Sequence, residues 1–499
     1  MSNFRPCKSI HLIFLLATTI AAQGQIFTKL TDFDGTNGGA PGYMSLVQGA
    51  DGNAYGTTSY GGANGQGTVF RTTGNGAVTV VYSFCSQPNC ADGSGPGYNL
   101  GAAGGLVLDT DGFFYGATPA GGSSNCSGGC GTIFKVARDG TLSTVYTFGN
   151  GIDGSDPGAQ LVQGLDGNIY GVAEAGYSGS FFRITRDGSF TTLYIFCKRT
   201  GCHDGAFPTG LLQASDGDFY GTTMRGGAND EGTVFRMTTS GGLTTLYSFC
   251  AQSHCEDGAE PAAGLVQATD GSFYGTTVLG GRHSSLCRGL KTYGCGTIFK
   301  ITPTGKLTTV YGFCAQPNCF DGKRPVSPLI QGTDGNFYGT TMLGGSGPFC
   351  TPLVYCGTAF SITPGGVLTT LHSFCSDAGC GDGSGPQGGL LQLTNGMIYG
   401  TTEGGGSING GTIFSLDMGL GPFVRFVRNP AKVGQTFGIL GQDLIDTTSV
   451  LLNGTPASFT VKSGTLLTAQ VPGGATSGYV NVTTPSGTLT SNVPFRVIP

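Results

Sequence analysis

Three observations predict an all-β fold built as a ring of repeated sheets, a seven-bladed β-propeller of four-stranded blades. A Tyr-Gly dipeptide returns seven times, at Tyr55, Tyr115, Tyr170, Tyr220, Tyr274, Tyr338 and Tyr399, each trailing an Asp-Gly or Asn-Gly turn. The spacing, roughly fifty to sixty-five residues, suits one blade. Between the turns lie short β-branched and aromatic runs bounded by glycine, which is strand chemistry.

Repeat four displays the elements in order. Strand a carries Leu211-Leu212-Gln213, and the turn Asp216-Gly217, with a glycine suited to positive φ, leads to strand b at Phe219-Tyr220-Gly221-Thr222-Thr223. A loop with Gly226-Gly227 precedes strand c, Gly232-Thr233-Val234-Phe235-Arg236. A turn around Gly241-Gly242 then gives strand d, from Leu243 to Phe249. The seventh repeat stops after strand c, at Gly411-Thr412-Ile413-Phe414. Its missing strand lies at the other end of the chain: Thr28 to Phe33, followed by Asp34-Gly35, matches Thr244 to Phe249 followed by Asp257-Gly258. The N-terminal strand is therefore expected to complete the last blade, closing the ring and removing exposed strand edges.

Over about residues 27 to 417, the ordered pattern Asp-Gly, Tyr-Gly-Thr-Thr, Gly-Gly, Gly-Thr-Val/Ile-Phe resembles the Gloeo/Verruco tandem repeat family of secreted bacterial proteins. The resemblance implies an exported repeat protein and no defined activity. Repeat three departs from the pattern, with Tyr170-Gly171-Val172 and Gly179-Ser180-Phe181-Phe182, a shortened loop and no Gly-Gly, so an atypical blade is expected there.

Export is also predicted by the N-terminus, where Arg5 and Lys8 precede an apolar run from Ile10 to Ala22. Residues 1–22 read as a signal peptide. Cysteine points to the same compartment. Setting aside Cys7, sixteen cysteines fall into eight close pairs. Five share one spacing after strand d, namely Cys85/Cys90, Cys197/Cys202, Cys250/Cys255, Cys314/Cys319 and Cys375/Cys380. Cys126/Cys130, Cys287/Cys295 and Cys350/Cys356 lie between strands b and c. Pairs of this kind in an exported chain read as disulfides. A zinc reading meets loops with two cysteines each, short of the four ligands of a structural site, so no metal and no cofactor is expected. No second apolar stretch approaches the roughly twenty residues that span a bilayer. The protein is expected to be secreted or surface-associated, in the periplasm or outside the cell.

In an up-and-down blade, the b–c and d–a connections leave one end of the sheet and the a–b and c–d turns leave the other. All eight cysteine pairs therefore belong to one face, with the longest and most variable loops. One reading makes the bridges supports for a backbone with 93 glycines. The other makes them supports for a binding surface. Variation favours the second: Arg225, Arg282, His283, Arg288, Lys291, Tyr293, Phe349 and Tyr355 occupy the b–c loops of blades four to six, and Lys198, Arg199, His203, Lys323 and Arg324 the d–a loops. They form a candidate basic, aromatic-edged ligand patch.

Other recurring residues have structural readings. The aspartates of the d–a loops (Asp34, Asp92, Asp153, Asp204, Asp257, Asp321, Asp382) are expected to cap their own turns. Calcium is a second reading, but the closely spaced oxygen ligands of a calcium loop are missing from the sequence. The seven tyrosines are expected to pack between blades, and Gln48, Gln163, Gln213, Gln267, Gln331 and Gln392 to satisfy backbone groups near the axis. No His-Glu zinc motif, Gly-x-Ser-x-Gly elbow or phosphate loop is present, and no catalytic residue is assigned. Glu174, Glu256, Glu260 and Glu403 leave carboxylate-driven glycoside cleavage open.

After Asp417 the repeat and the cysteines end, and 418–422 reads as a linker into a module over 423–499. Its alternating strands predict an immunoglobulin-like β-sandwich. Gly434-Gln435, Ile439-Leu440-Gly441, Val450 to Pro456, Val471-Pro472 and Ser477 to Val482 resemble an IPT/TIG domain, which implies an adhesion, spacer or partner-binding role. Setting aside Arg5 and Lys8 leaves 22 basic against 29 acidic residues, a formal charge of −7. Nucleic acid is therefore not an expected partner. The function expected is a secreted, non-enzymatic binding or scaffold protein for an extracellular polysaccharide or surface protein. The alternatives are a polysaccharide hydrolase or lyase and a structural envelope component.

Overall fold

A computed structural model of the chain describes residues 26–498 apart from 98–103, 127, 150–152, 159–160, 175–177, 282–286, 288–293 and 351–354. The described residues are all-β, without an α-helix. Four-stranded antiparallel sheets repeat along the chain, and five one-turn 3₁₀ segments mark the Cys-x-x-x-x-Cys loops. The expected signal peptide lies outside the described residues.

Sheet 4 shows the repeat unit: Ala206–Gln213, Phe219–Arg225, Thr233–Met237 and Leu243–Ser248 pair in sequence order. Sheet 3 departs less than its sequence does, because Val162–Gln163, Ile169–Ala173, Ser180–Ile184 and Phe190–Ile195 form the same sheet. Sheet 7 takes its fourth strand from the other end of the chain. Ile26–Asp32 pairs antiparallel with Thr412–Asp417, Lys29 opposite Phe414. The pairing skips one residue, Leu30, between Lys29 and Thr31. Sheet 4 skips Leu246 at the same place, between Val234/Phe235. A shared bulge at an equivalent position marks the N-terminal segment as a true d strand.

The repeated motifs follow from packing. An added Cβ at Gly221 would lie 2.5 Å from the Phe235 ring and 2.3 Å from the Gly210 carbonyl, so Tyr-Gly keeps a bare backbone where the phenylalanine of strand c lies across it. Gly232, at φ +95°, presents its bare face to Pro261 Cδ of the next sheet. The Thr residues of Tyr-Gly-Thr-Thr and Gly-Thr bond across strands b and c, Thr223 Oγ1 to Thr233 Oγ1 at 2.8 Å, buried. In repeat three Ala173 pairs with Ser180 instead, and the sheet persists without that bond.

Neighbouring sheets join through the tyrosines, all at most 2% exposed. Tyr220 stacks on Phe273 of the next sheet at 4.2 Å and donates to Asp216 of its own a–b turn at 2.7 Å. The strand-a glutamines form a second set of links. Gln213 accepts from the Leu165 amide, Gln267 from Ser215, Gln331 from Thr269, Gln392 from Thr333 and Gln48 from Thr394, each a backbone N–H of the preceding a–b turn. Repeat two has Leu108 at this position. Strands a are innermost, since Gly210 and Gly264 of adjacent sheets touch there and Met44–Ser45 pairs with Gly104–Gly105.

The C-terminal module is a separate all-β unit of two four-stranded antiparallel sheets and a short parallel pair, Ala431–Lys432 with Val497–Ile498. Its own core includes Phe437, Ile439, Val450, Leu467, Val482 and Phe495. It meets the repeat region at the a–b turns: Thr465 donates to Ala50 O at 2.7 Å, Gln442 to Thr394 Oγ1 at 2.9 Å, Arg425 to Gln392 O at 3.3 Å, and Arg428 to Leu165 O. Leu440, Val427 and Leu466 add apolar contact against sheet 1, from Val47–Gln48 to Val78–Ser83, and sheet 2, from Val107–Leu108 to Leu142–Thr147. No helix among the described residues is long and apolar enough to cross a membrane.

Candidate functional site

With the module on the turn end, the open surface of the repeat region is the end from which the b–c and d–a loops leave. All eight bridges lie there: Cys85–Cys90, Cys126–Cys130, Cys197–Cys202, Cys250–Cys255, Cys287–Cys295, Cys314–Cys319, Cys350–Cys356 and Cys375–Cys380. In each five-residue bridge both cysteines have positive φ, a conformation that disfavours ordinary side chains. A buried aspartate orders the loop from within. Asp204 accepts from the Lys198 and Arg199 amides at 3.0 and 3.1 Å and from the Tyr194 hydroxyl at 2.7 Å. Only Asp34 caps the turn that follows it, binding Thr36 and Asn37. Asp92, Asp204, Asp257, Asp321 and Asp382 reach back across the bridge, and Asp153, in a loop without one, accepts from the Tyr146 hydroxyl and the Gly149 amide.

Sequence spacing did not reveal one juxtaposition: the four sulfurs of Cys287, Cys295, Cys314 and Cys319 lie within 4.8 Å of one another, as two adjacent bridges. They belong to a b–c and a d–a loop of one sheet, which the fold brings together.

Of the candidate ligand residues, Arg282, His283, Arg288, Lys291 and Tyr293 lie outside the described residues. Phe349 and Tyr355 are exposed, at 44% and 57%. Arg225 is engaged: its guanidinium lies 2.6 Å from Glu260 and 4.0 Å from Glu231. The two carboxylates neutralise it, so it adds no free positive charge to a basic patch.

A different set of residues lines the inner edge of this end. Each d–a loop reaches strand a through a residue followed by proline: Ala40, Gly95, Asp156, Phe207, Glu260, Arg324 and Gly385. All seven have φ between 44° and 63°. Each donates its N–H to a carbonyl of the preceding sheet at 2.8–3.1 Å: Gly410, Gln66, Cys130, Ser178, Glu231, Cys295 and Cys356 respectively. The backbone is the same at every seam while the side chain changes. Beside it stands a second variable series, the residue after Tyr-Gly-Thr-Thr, which is Glu174 in repeat three and Glu403 in repeat seven.

Acidic chemistry gathers at two of these seams. Burial, then the charge of Asp156, pushes the Glu174 carboxyl above its ordinary value, and burial does the same to Asp156. At the seam of sheets 7 and 1, burial raises the Glu403 carboxyl despite a hydrogen bond from Gln387. Burial, then Glu403 and Tyr355, raises the Tyr43 phenol there. Glu256 is exposed and Glu260 is tied to Arg225. The sequence signal for the inner edge was the recurring Asp-Gly-x-x-Pro, at Asp92, Asp153, Asp204, Asp257, Asp321 and Asp382.

The sequence profile of the Gloeobacter/Verrucomicrobia repeat family matches residues 97–287 and 256–466, most of the 499 residues. The chain belongs to this family. No curated protein matches it in sequence. Among solved structures it is similar to virginiamycin B lyase from Staphylococcus aureus, at 15% identity and a TM-score of 0.48, over 79% of this chain and 99% of that one. TolB from Acinetobacter baumannii is similar at 12% identity and a TM-score of 0.35, over 60% and 58% of the two chains. The extracellular domain of a two-component system from B. thetaiotaomicron is similar at 9% identity and 0.44, over 96% and 60%. These are propeller-like proteins of varied roles, and the likeness concerns the fold alone.

Proposed function

We propose that the repeat region is a closed seven-bladed propeller whose loop-rich end binds an extracellular polysaccharide or surface protein, with no catalytic step. The observation that carries this reading is the inner edge of that end. Five of its seven left-handed positions keep a side chain, Ala40, Asp156, Phe207, Glu260 and Arg324, where glycine would sit without strain. Strained positions of this kind concentrate at functional sites. Closure is supported by the strand Ile26–Asp32 in sheet 7 and by the Gln48 link to Thr394. The C-terminal module is read as an immunoglobulin-like domain of IPT/TIG type that covers the turn end. Eight disulfides accord with an extracellular or periplasmic location, and so does the signal peptide read from residues 1–22.

A glycan array and pull-downs with the mature protein test the binding reading. Selective capture of a polymer or surface protein is expected; capture of nothing above background would refute it. A hydrolase or lyase is the second reading, favoured by the raised carboxyls of Glu174 and Glu403. It requires depolymerisation that disappears in Glu174→Gln or Glu403→Gln, and it is discarded if a broad polymer panel stays intact.

A further inference from the structure

Lys323 and Arg324, both half-buried, occupy the inner edge between sheet 5, from Val266–Gln267 to Leu307–Gly312, and sheet 6, from Ile330–Gln331 to Leu368–Ser373. Neither forms an ion pair among the described residues. One seam earlier the equivalent of Arg324 is Glu260, which faces Arg225 at 2.6 Å. The equivalent of Arg225 in sheet 5 is Leu279, an apolar residue that offers Arg324 no charge partner at that position. Burial, then the Arg324 guanidinium, holds the Lys323 ammonium below its ordinary value. Arg324 also keeps φ at 55°. Two adjacent cations are thus retained against mutual repulsion, partial desolvation and backbone strain.

The next seams supply other chemistry. Tyr355, 57% exposed, lies against Gly385, where an added Cβ would meet its own at 3.5 Å. Beyond it the buried Gln387 donates to Glu403, and its Oε1 has no hydrogen-bond partner among the described residues. We propose that this arc recognises an anionic polysaccharide, its carboxylate or sulfate ester held by Lys323 and Arg324 and a sugar ring laid on Tyr355. The proposal rests on the reading of the loop-rich end as the binding surface. Arginine binds planar and tetrahedral oxyanions through paired N–H groups, and a tyrosine face suits the apolar face of a sugar ring. The half-buried Glu403 carboxylate suits hydroxyl donors, which favours a saccharide over an acidic polypeptide.

Calorimetry on the mature protein with oligogalacturonate, dextran sulfate, neutral dextran and polyglutamate tests this, with Lys323→Gln and Arg324→Gly as variants. One or both acidic polysaccharides are expected to bind, more weakly as salt rises, and which one binds separates carboxylate from sulfate ester. Arg324→Gly is expected to lose at least about tenfold in affinity while its melting temperature rises, because glycine takes the left-handed conformation without strain. Unchanged affinity in both variants would overturn the proposal, as would polyglutamate binding as tightly as any polysaccharide. Binding of neutral dextran alone, unaffected by the variants, overturns it but leaves the loop-end binding reading standing. Failure of every polymer overturns the proposal, and a blank glycan array and pull-down as well would remove the binding reading.

Discussion

The two ends of the repeat region use one backbone for opposite purposes. At the turn end, equivalent positions carry equivalent side chains: glutamine on strand a in six repeats, tyrosine at most 2% exposed in all seven, and a turn aspartate beneath five of those tyrosine hydroxyls. At the loop end, seven residues with the same φ and the same hydrogen bond carry Ala, Gly, Asp, Phe, Glu, Arg and Gly. Where fold requirements dictate the residue, it repeats. Where the backbone alone meets those requirements, the side chain varies, and it is this variation that the proposed binding role uses. The C-terminal module sharpens the contrast, because it rests on the uniform end.

Three changes probe this division, each by chemical denaturation alongside binding. Phe33, fully buried, packs edge-on against Phe70 of sheet 1 at 5.1 Å and belongs to the seam formed by the N-terminal strand. Phe33→Ala is expected to destabilise by about 3–5 kcal/mol; a loss below about 1 kcal/mol would break the view that this strand seals the last sheet. Removing the Cys126–Cys130 bridge with a double serine variant should cost about 2 kcal/mol in the chain-entropy treatment and leave the distant arc near Arg324 unaffected. Tyr220→Phe should cost about 1 kcal/mol, since it removes one hydroxyl bond to Asp216, with no change in ligand affinity. An equal effect on binding would blur the two ends.

The smallest expected effect is a pH dependence. Glu403 is raised by burial from 4.5, so the folded state holds its proton more tightly than the unfolded chain does. Its contribution favours folding below the unfolded value and is lost as pH rises through the folded one. Glu403→Gln should therefore gain stability relative to the parent at pH 8 and little at pH 4, read from paired melting curves; an equal gain at both would contradict the direction of the shift.

Strand order, the borrowed strand of sheet 7 and the end on which the cysteines lie were legible in the sequence, because each rests on local pattern: Tyr-Gly, Gly-Thr, and a d-like segment at Thr28 to Phe33. The left-handed backbone of the inner edge was not. The residue before a proline ordinarily takes an extended conformation, so nothing local announces that Asp156, Phe207, Glu260 and Arg324 are left-handed; contact with the preceding sheet imposes it. Arg225 was recognised as a candidate, but its neutralisation by Glu260 depends on two residues 35 positions apart meeting across a seam.

Hydrogen-exchange footprinting of the mature protein, with and without its saturating polymer, tests the division between the ends most directly. Protection is expected in 321–327 and 383–389 and around Glu403, with the a–b turns near Asp216, Asp270 and Asp334 unchanged. Protection confined to those turns or to the C-terminal module would contradict it.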